Sequence, residues 1–77
     1  MSDHYTADGS HLWISKAQPM YAQTVCTVHL IEGAWPSTSE LLTICDNRSR
    51  PDDKTAHHFG GSVQTDGKTA IVVVHTD

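Results

Sequence analysis

Long apolar runs are absent from this chain. No window approaches the roughly 18 consecutive apolar residues that a bilayer-crossing helix needs, and residues 1–10 carry neither the basic nor the apolar region of a secretory signal. No membrane contact and a cytoplasmic location are therefore expected. Cysteine is nearly as scarce. Cys26 and Cys45 are the whole complement, too few and too far apart for a disulfide framework, and in a reducing compartment both are expected to be reduced, buried and chemically quiet.

Basic charge is also short. Five Lys and Arg face nine Asp and Glu, a formal charge of −4 with histidine neutral. Direct nucleic-acid binding, which draws most of its affinity from phosphate contacts, is not expected. A protein partner with a basic surface fits the balance better. The acids form no long block that would imitate nucleic acid, and the densest of them, Asp46, Asp52 and Asp53, alternate with Arg48, Arg50 and Lys54.

Catalytic signatures are missing as well. No serine stands in a Gly-x-Ser-x-Gly turn, and Gly60-Gly61-Ser62 lacks the lysine of a phosphate loop. Asp52-Asp53 sits beside Pro51 and two arginines, the setting of a solvated turn more than of a carboxylate pair. No catalytic residue and no cofactor are assigned, and a non-enzymatic protein is expected. Histidine, by contrast, is plentiful: His4, His11, His29, His57, His58 and His75. Zinc needs three or four converging ligands, usually in close sequence pairs. The cysteines are not paired in that way, and the adjacent His57 and His58 would point to opposite faces of a strand, so no metal site is assigned.

With 77 residues the chain has room for one domain with a thin core. Residues 1–10 are polar and turn-prone and are expected to be a mobile tail, with the domain spanning 11–77. His11 to Lys16 can form a short strand ended by Gln18-Pro19. In Gln23 to Glu32, alternation puts Cys26, Val28 and Leu30 on one face and Val25, Thr27, His29 and Ile31 on a mixed second face. Ser37 followed by Glu40 is a helix-start pattern, and Leu41, Leu42, Ile44, Cys45 and Arg48 share one helical arc, which predicts a helix from Thr38 to about Asn47. Leu-Leu-Thr-Ile-Cys is also an acceptable strand.

Asp46 to Lys54 has no apolar residue and is expected as a surface loop. Thr55 to Val63 is a weaker strand interrupted at Gly60-Gly61, where a bulge is expected. Asp66-Gly67 marks a hairpin turn. Ala70 to Val74 is apolar on both faces and belongs inside a sheet, so that Val73→Asp is expected to bury an unpaired charge.

These elements predict an α+β domain, a small antiparallel sheet of about four strands with one short helix in ββαββ order; the alternative is an all-β five-stranded meander. The functional expectation is a small acidic protein-binding module or inhibitor. By analogy of size and charge it resembles phage-encoded or mobile-element-encoded proteins that act on nucleic-acid-handling complexes. Its contact residues are expected to be Trp35, Asp46, Arg48, Arg50, Asp52 and Asp53. Trp35, between Gly33 and the helix start, has two roles open to it: stapling the helix to the core or anchoring a partner. The alternative function is a histidine-based metal-binding or redox-responsive module, and a third is a subunit stable only in a symmetric oligomer, a homodimer among the options.

Overall fold

A strand that is apolar at alternate positions needs a second layer on one side only, and among the described residues one helix supplies that layer. The computed structural model of the protein describes residues 2–15, 18–20, 22–49 and 58–76. In chain order the elements are β1 (Ser2–Tyr5), β2 (His11–Ile14), β3 (Gln18–Met20), β4 (Gln23–Glu32), α1 (Thr38–Ser49), β5 (His58–Asp66) and β6 (Thr69–Thr76). Every strand pairing is antiparallel. The strands make one sheet in the order β1-β2-β4-β6-β5, with β3 beside β4 off that path.

The α+β class stands, and the helix removes the all-β alternative. The strand count is larger than expected, because four strands precede the helix. One of the additions corrects the expectation of a tail: Ser2–Tyr5 pairs with β2, Asp3 opposite Trp13 and Tyr5 opposite His11. The intervening turn is held by Thr6, whose amide donates to Ser10 O at 2.9 Å and whose Oγ1 accepts from Ser10 N at 2.9 Å. Both residues are buried. The other addition is β3, which contains Pro19. Proline lacks a donor and is tolerated in an edge strand.

Between β2 and β3 the pairing with β4 slips by one residue, from Ile14 opposite Val28 to Gln18 opposite Val25. Ser15 sits at the slip. Its amide donates to Thr27 O at 2.9 Å, and its hydroxyl accepts from Thr27 N at 2.9 Å, so a side chain stands in for the missing main-chain acceptor.

The helix begins as the cap pattern predicts. Ser37 Oγ accepts from Glu40 N at 3.2 Å and Ser37 O from Leu41 N at 3.0 Å, occupying amides that have no partner inside the helix. It runs to Ser49, past the expected end, so the first residues of the expected 46–54 loop are helical. Its inner face carries Leu41, Leu42, Ile44 and Cys45. These close over Leu12 and Ile14 of β2, Cys26, Val28 and Leu30 of β4, and Ala70, Val72 and Val74 of β6. Interior and exterior alternate strictly along β6. Val72 and Val74 have no exposure, whereas Val73 is half-buried on the side away from the helix. The expectation that Val73→Asp buries a charge in the core is thereby corrected: the core positions are its two neighbours.

The bulge expected at Gly60-Gly61 is present as a register shift between His58 and Gly61 against β6. A Cβ on Gly61 would lie 2.0 Å from Val73 O and 2.8 Å from Leu42 Cδ2, so only glycine allows helix and sheet to approach here. Gly67, with φ of 64°, opens the turn between β5 and β6, where a residue with a side chain would be strained.

Cys26 and Cys45 are each 1% exposed, as their apolar surroundings predict. They are not reduced. The two sulfurs form a disulfide that ties the middle of β4 to the helix, with Cα atoms 6.0 Å apart and a sequence separation of 19. Alternation had put Cys26 on the inner face of the strand and helical periodicity had put Cys45 on the inner face of the helix. Packing one face on the other brings them together.

Candidate functional site

With one face of the sheet under the helix, the other is uncovered by any described residue. It is built from the alternate positions: Asp3 and Tyr5 on β1, His11 and Trp13 on β2, Val25, Thr27, His29 and Ile31 on β4, Thr69, Ile71, Val73 and His75 on β6, and Ser62, Gln64 and Asp66 on β5. An antiparallel sheet with a solvated face normally shows polar residues there. This one instead carries apolar side chains, with Ile71 44% exposed near its centre and Ile31 49% exposed beyond the His29–Thr69 pair at the end of β4. Val25 and Val73, directly opposed across β4 and β6, make an apolar patch with Ile71.

Toward the β1 edge the patch gives way to rings. Tyr5 and His11 stack with centroids 4.3 Å apart and planes 15° from parallel. His11 donates through Nε2 to Asp3 Oδ1 at 3.0 Å. Trp13 stands against His29 with centroids 5.4 Å apart, and His29 Nδ1 lies 3.4 Å from Thr69 Oγ1. A single row across the sheet, Asp3-Trp13-His29-Thr69-Asp66, thus begins and ends on a carboxylate. The exposed charges described elsewhere are mostly acidic too: Asp8, Glu32 and Glu40 against Lys68 and the half-buried Arg48.

Of the expected contact residues, Trp35, Asp46 and Arg48 are described, and each is engaged within the fold. Asp46 is fully buried, on the inner face of the helix and engaged there, and has no surface to offer a partner. A buried carboxylate without a partner would be costly, so its engagement belongs to the fold. Arg48 donates through Nη2 to Asp3 O at 3.4 Å and ties the end of the helix to β1. Trp35 takes the stapling role: it packs on the core, and its Nε1 donates to Gly67 O at 3.0 Å in the β5–β6 turn. Arg50, Asp52 and Asp53 lie outside the described residues.

Among the described residues, no group of three or more His, Cys, Asp or Glu side chains is placed to hold a metal ion. His57 lies outside the described residues. Sequence reasoning missed the ring cluster because Tyr5 was assigned to a tail. The available signal was alternation, which sets His11 and Trp13 opposite the apolar Leu12 and Ile14. No family model, curated protein or solved structure matches the chain.

Proposed function

We propose that this protein is a small, non-enzymatic, acidic protein-binding module that presents the uncovered sheet face to a partner with a basic surface. The observation that carries the reading is the apolar patch of Val25, Val73 and Ile71, with Ile31 exposed beyond the His29–Thr69 pair, on a face that no described residue covers. Apolar patches rimmed by polar groups mark interaction sites. The carboxylates at the ends of the face supply charge that complements basic residues and steers their approach. No described helix is long and apolar enough to cross a membrane.

The finer form of the proposal is an inhibitor of a nucleic-acid-handling complex, encoded by a phage or mobile element and acting in the cytoplasm. Its support is analogy of size and charge, together with the basic surfaces that such complexes carry. The disulfide bears on the location, because such bonds persist in oxidising compartments and are rare in reducing ones. Counting free thiols in protein alkylated at the moment of lysis decides between them. The same bond is the one observation that favours a redox-responsive reading. Thiol exchange, however, needs an attacking sulfur to reach the bond, and both cysteines are 1% exposed. That burial fits a structural staple better than a sensor.

The test is photo-crosslinking in host extract, with the crosslinker placed at Ile71 on the open face or at Thr43 on the helix. A species that is captured through position 71 only, and lost when Val73→Lys is added, supports the reading. Equal capture from both positions, unchanged by Val73→Lys, removes it.

A further inference from the structure

The ring cluster at the β1 edge has a chemistry that the apolar patch lacks. We infer that the corner formed by Asp3 and Trp13, walled by Tyr5 and His11 and backed by His29 behind Trp13, receives an arginine side chain of the partner. The inference rests on the protein-binding reading and gives it a specific ligand group.

The register comes first. Asp3 and Trp13 are directly opposite on neighbouring strands and share the open face, a placement that sets such side chains side by side. The carboxylate is held from one side, where His11 Nε2 donates to Oδ1 at 3.0 Å, and its side chain is still 57% exposed. Oδ2 has no partner among the described residues. What Arg48 Nη2 meets on Asp3 is the backbone oxygen, at 3.4 Å, and not the carboxylate. The corner is therefore an oriented acceptor beside aromatic surface, with no Lys or Arg among the described residues placed on its carboxylate.

The rings are also fixed in advance. Tyr5 is braced on His11 at 4.3 Å and Trp13 on His29 at 5.4 Å, and His29 is in turn beside Thr69 at 3.4 Å. A cation entering this corner meets ring faces and a carboxylate together. A guanidinium suits both, since it stacks flat on an aromatic ring while donating in its own plane to a carboxylate. The ammonium of lysine is a strongly hydrated point charge that can satisfy only one of the two. Ring stacking alone would also suit an unpaired nucleic-acid base, but the carboxylates at the two ends of the row, Asp3 and Asp66, repel the phosphate that accompanies it.

The experiment is titration of the isotopically labelled protein with the capped tripeptide Gly-Arg-Gly and, separately, Gly-Lys-Gly at equal ionic strength, followed by NMR. The arginine peptide should shift the Trp13 indole N–H and the His11 and Tyr5 signals saturably, with the Trp35 indole as the internal reference. The lysine peptide should bind about tenfold more weakly. Asp3→Asn and Trp13→Leu should each lower the arginine affinity about tenfold with the backbone spectrum of the rest of the sheet unchanged. Equal shifts from both peptides, or arginine shifts that survive Asp3→Asn, would overturn the inference. A partner that crosslinks at position 71 and is indifferent to Asp3→Asn sinks the arginine corner alone. Arginine binding at Trp13 without any partner captured at position 71 removes the protein-binding reading and leaves the corner.

Discussion

The two faces of the sheet are made by the same strands and differ by one step along each. On β6, Ala70, Val72 and Val74 are fully buried under the helix, while Thr69, Ile71, Val73 and His75 look the other way. Both faces carry apolar side chains near their centre, yet among the described residues only one has a cover. The helix-covered face is a core, where the cost of a change is read in folding. The open face has the composition of a surface awaiting a second layer, and there the cost is expected in binding. Alternation alone separates the covered side chains from the open ones on these strands.

The sharpest way to break that comparison is a pair of neighbouring substitutions. Val72→Asp places an unpaired carboxylate in the core and should cost roughly 5 kcal/mol, on the scale of the whole stability of a small domain. Val73→Asp, on the open face, should cost about 1 kcal/mol. Urea unfolding followed by circular dichroism measures both. Equal losses would mean that the open face is covered in solution.

A smaller effect is expected from the disulfide, the covalent link between the covered face and its helix. Removing it in a Cys26→Ala, Cys45→Ala protein should cost about 3 kcal/mol by the chain-entropy argument for a loop of this length. Thermal melting of the double variant, with and without reductant, supplies the comparison. If reductant lowers the melting point of the wild type and leaves the variant untouched, the bond forms in solution and contributes as stated. No response of the wild type to reductant at high denaturant would count against its presence.

The smallest effect sharpens the role of Trp35. Trp35→Phe keeps the ring against the core and removes the hydrogen bond to Gly67 O, which should cost about 1 kcal/mol. Partner binding should not change. A loss of binding without a loss of stability would return Trp35 to the contact surface.

Much of the covered face was legible in the sequence. Cys26, Val28 and Leu30 follow strict alternation, and Ser37 with Glu40 marks the helix start, because local periodicity and capping are properties of a few adjacent residues. What was not legible depends on residues distant in the chain. Ser2–Tyr5 looks like a tail because an edge strand needs only one neighbour and little apolar content. Gln18-Pro19 looks like a turn because the edge position that excuses proline is a fact of topology. Asp46 reads as a surface residue because the stretch from Asp46 to Lys54 has no apolar residue, and its interior setting depends on interactions that spacing does not reveal. The disulfide required knowing that one strand face meets one helix face. The second face of β4 was recognised as mixed, but whether such a face is covered is not written in its own residues.

The sheet order has a kinetic consequence. β4 pairs with β6 and not with β5, the strand that follows the helix, so the central pairing cannot form until the chain has closed the long excursion through α1 and the β5–β6 hairpin. Closing such an excursion costs entropy before any contact repays it. Each hairpin, β1 with β2, β3 with β4 and β5 with β6, is local and forms early by the same reasoning. Joining β4 to β6 is then the committing event, and it should set a folding rate slower than that of a helical protein of equal length.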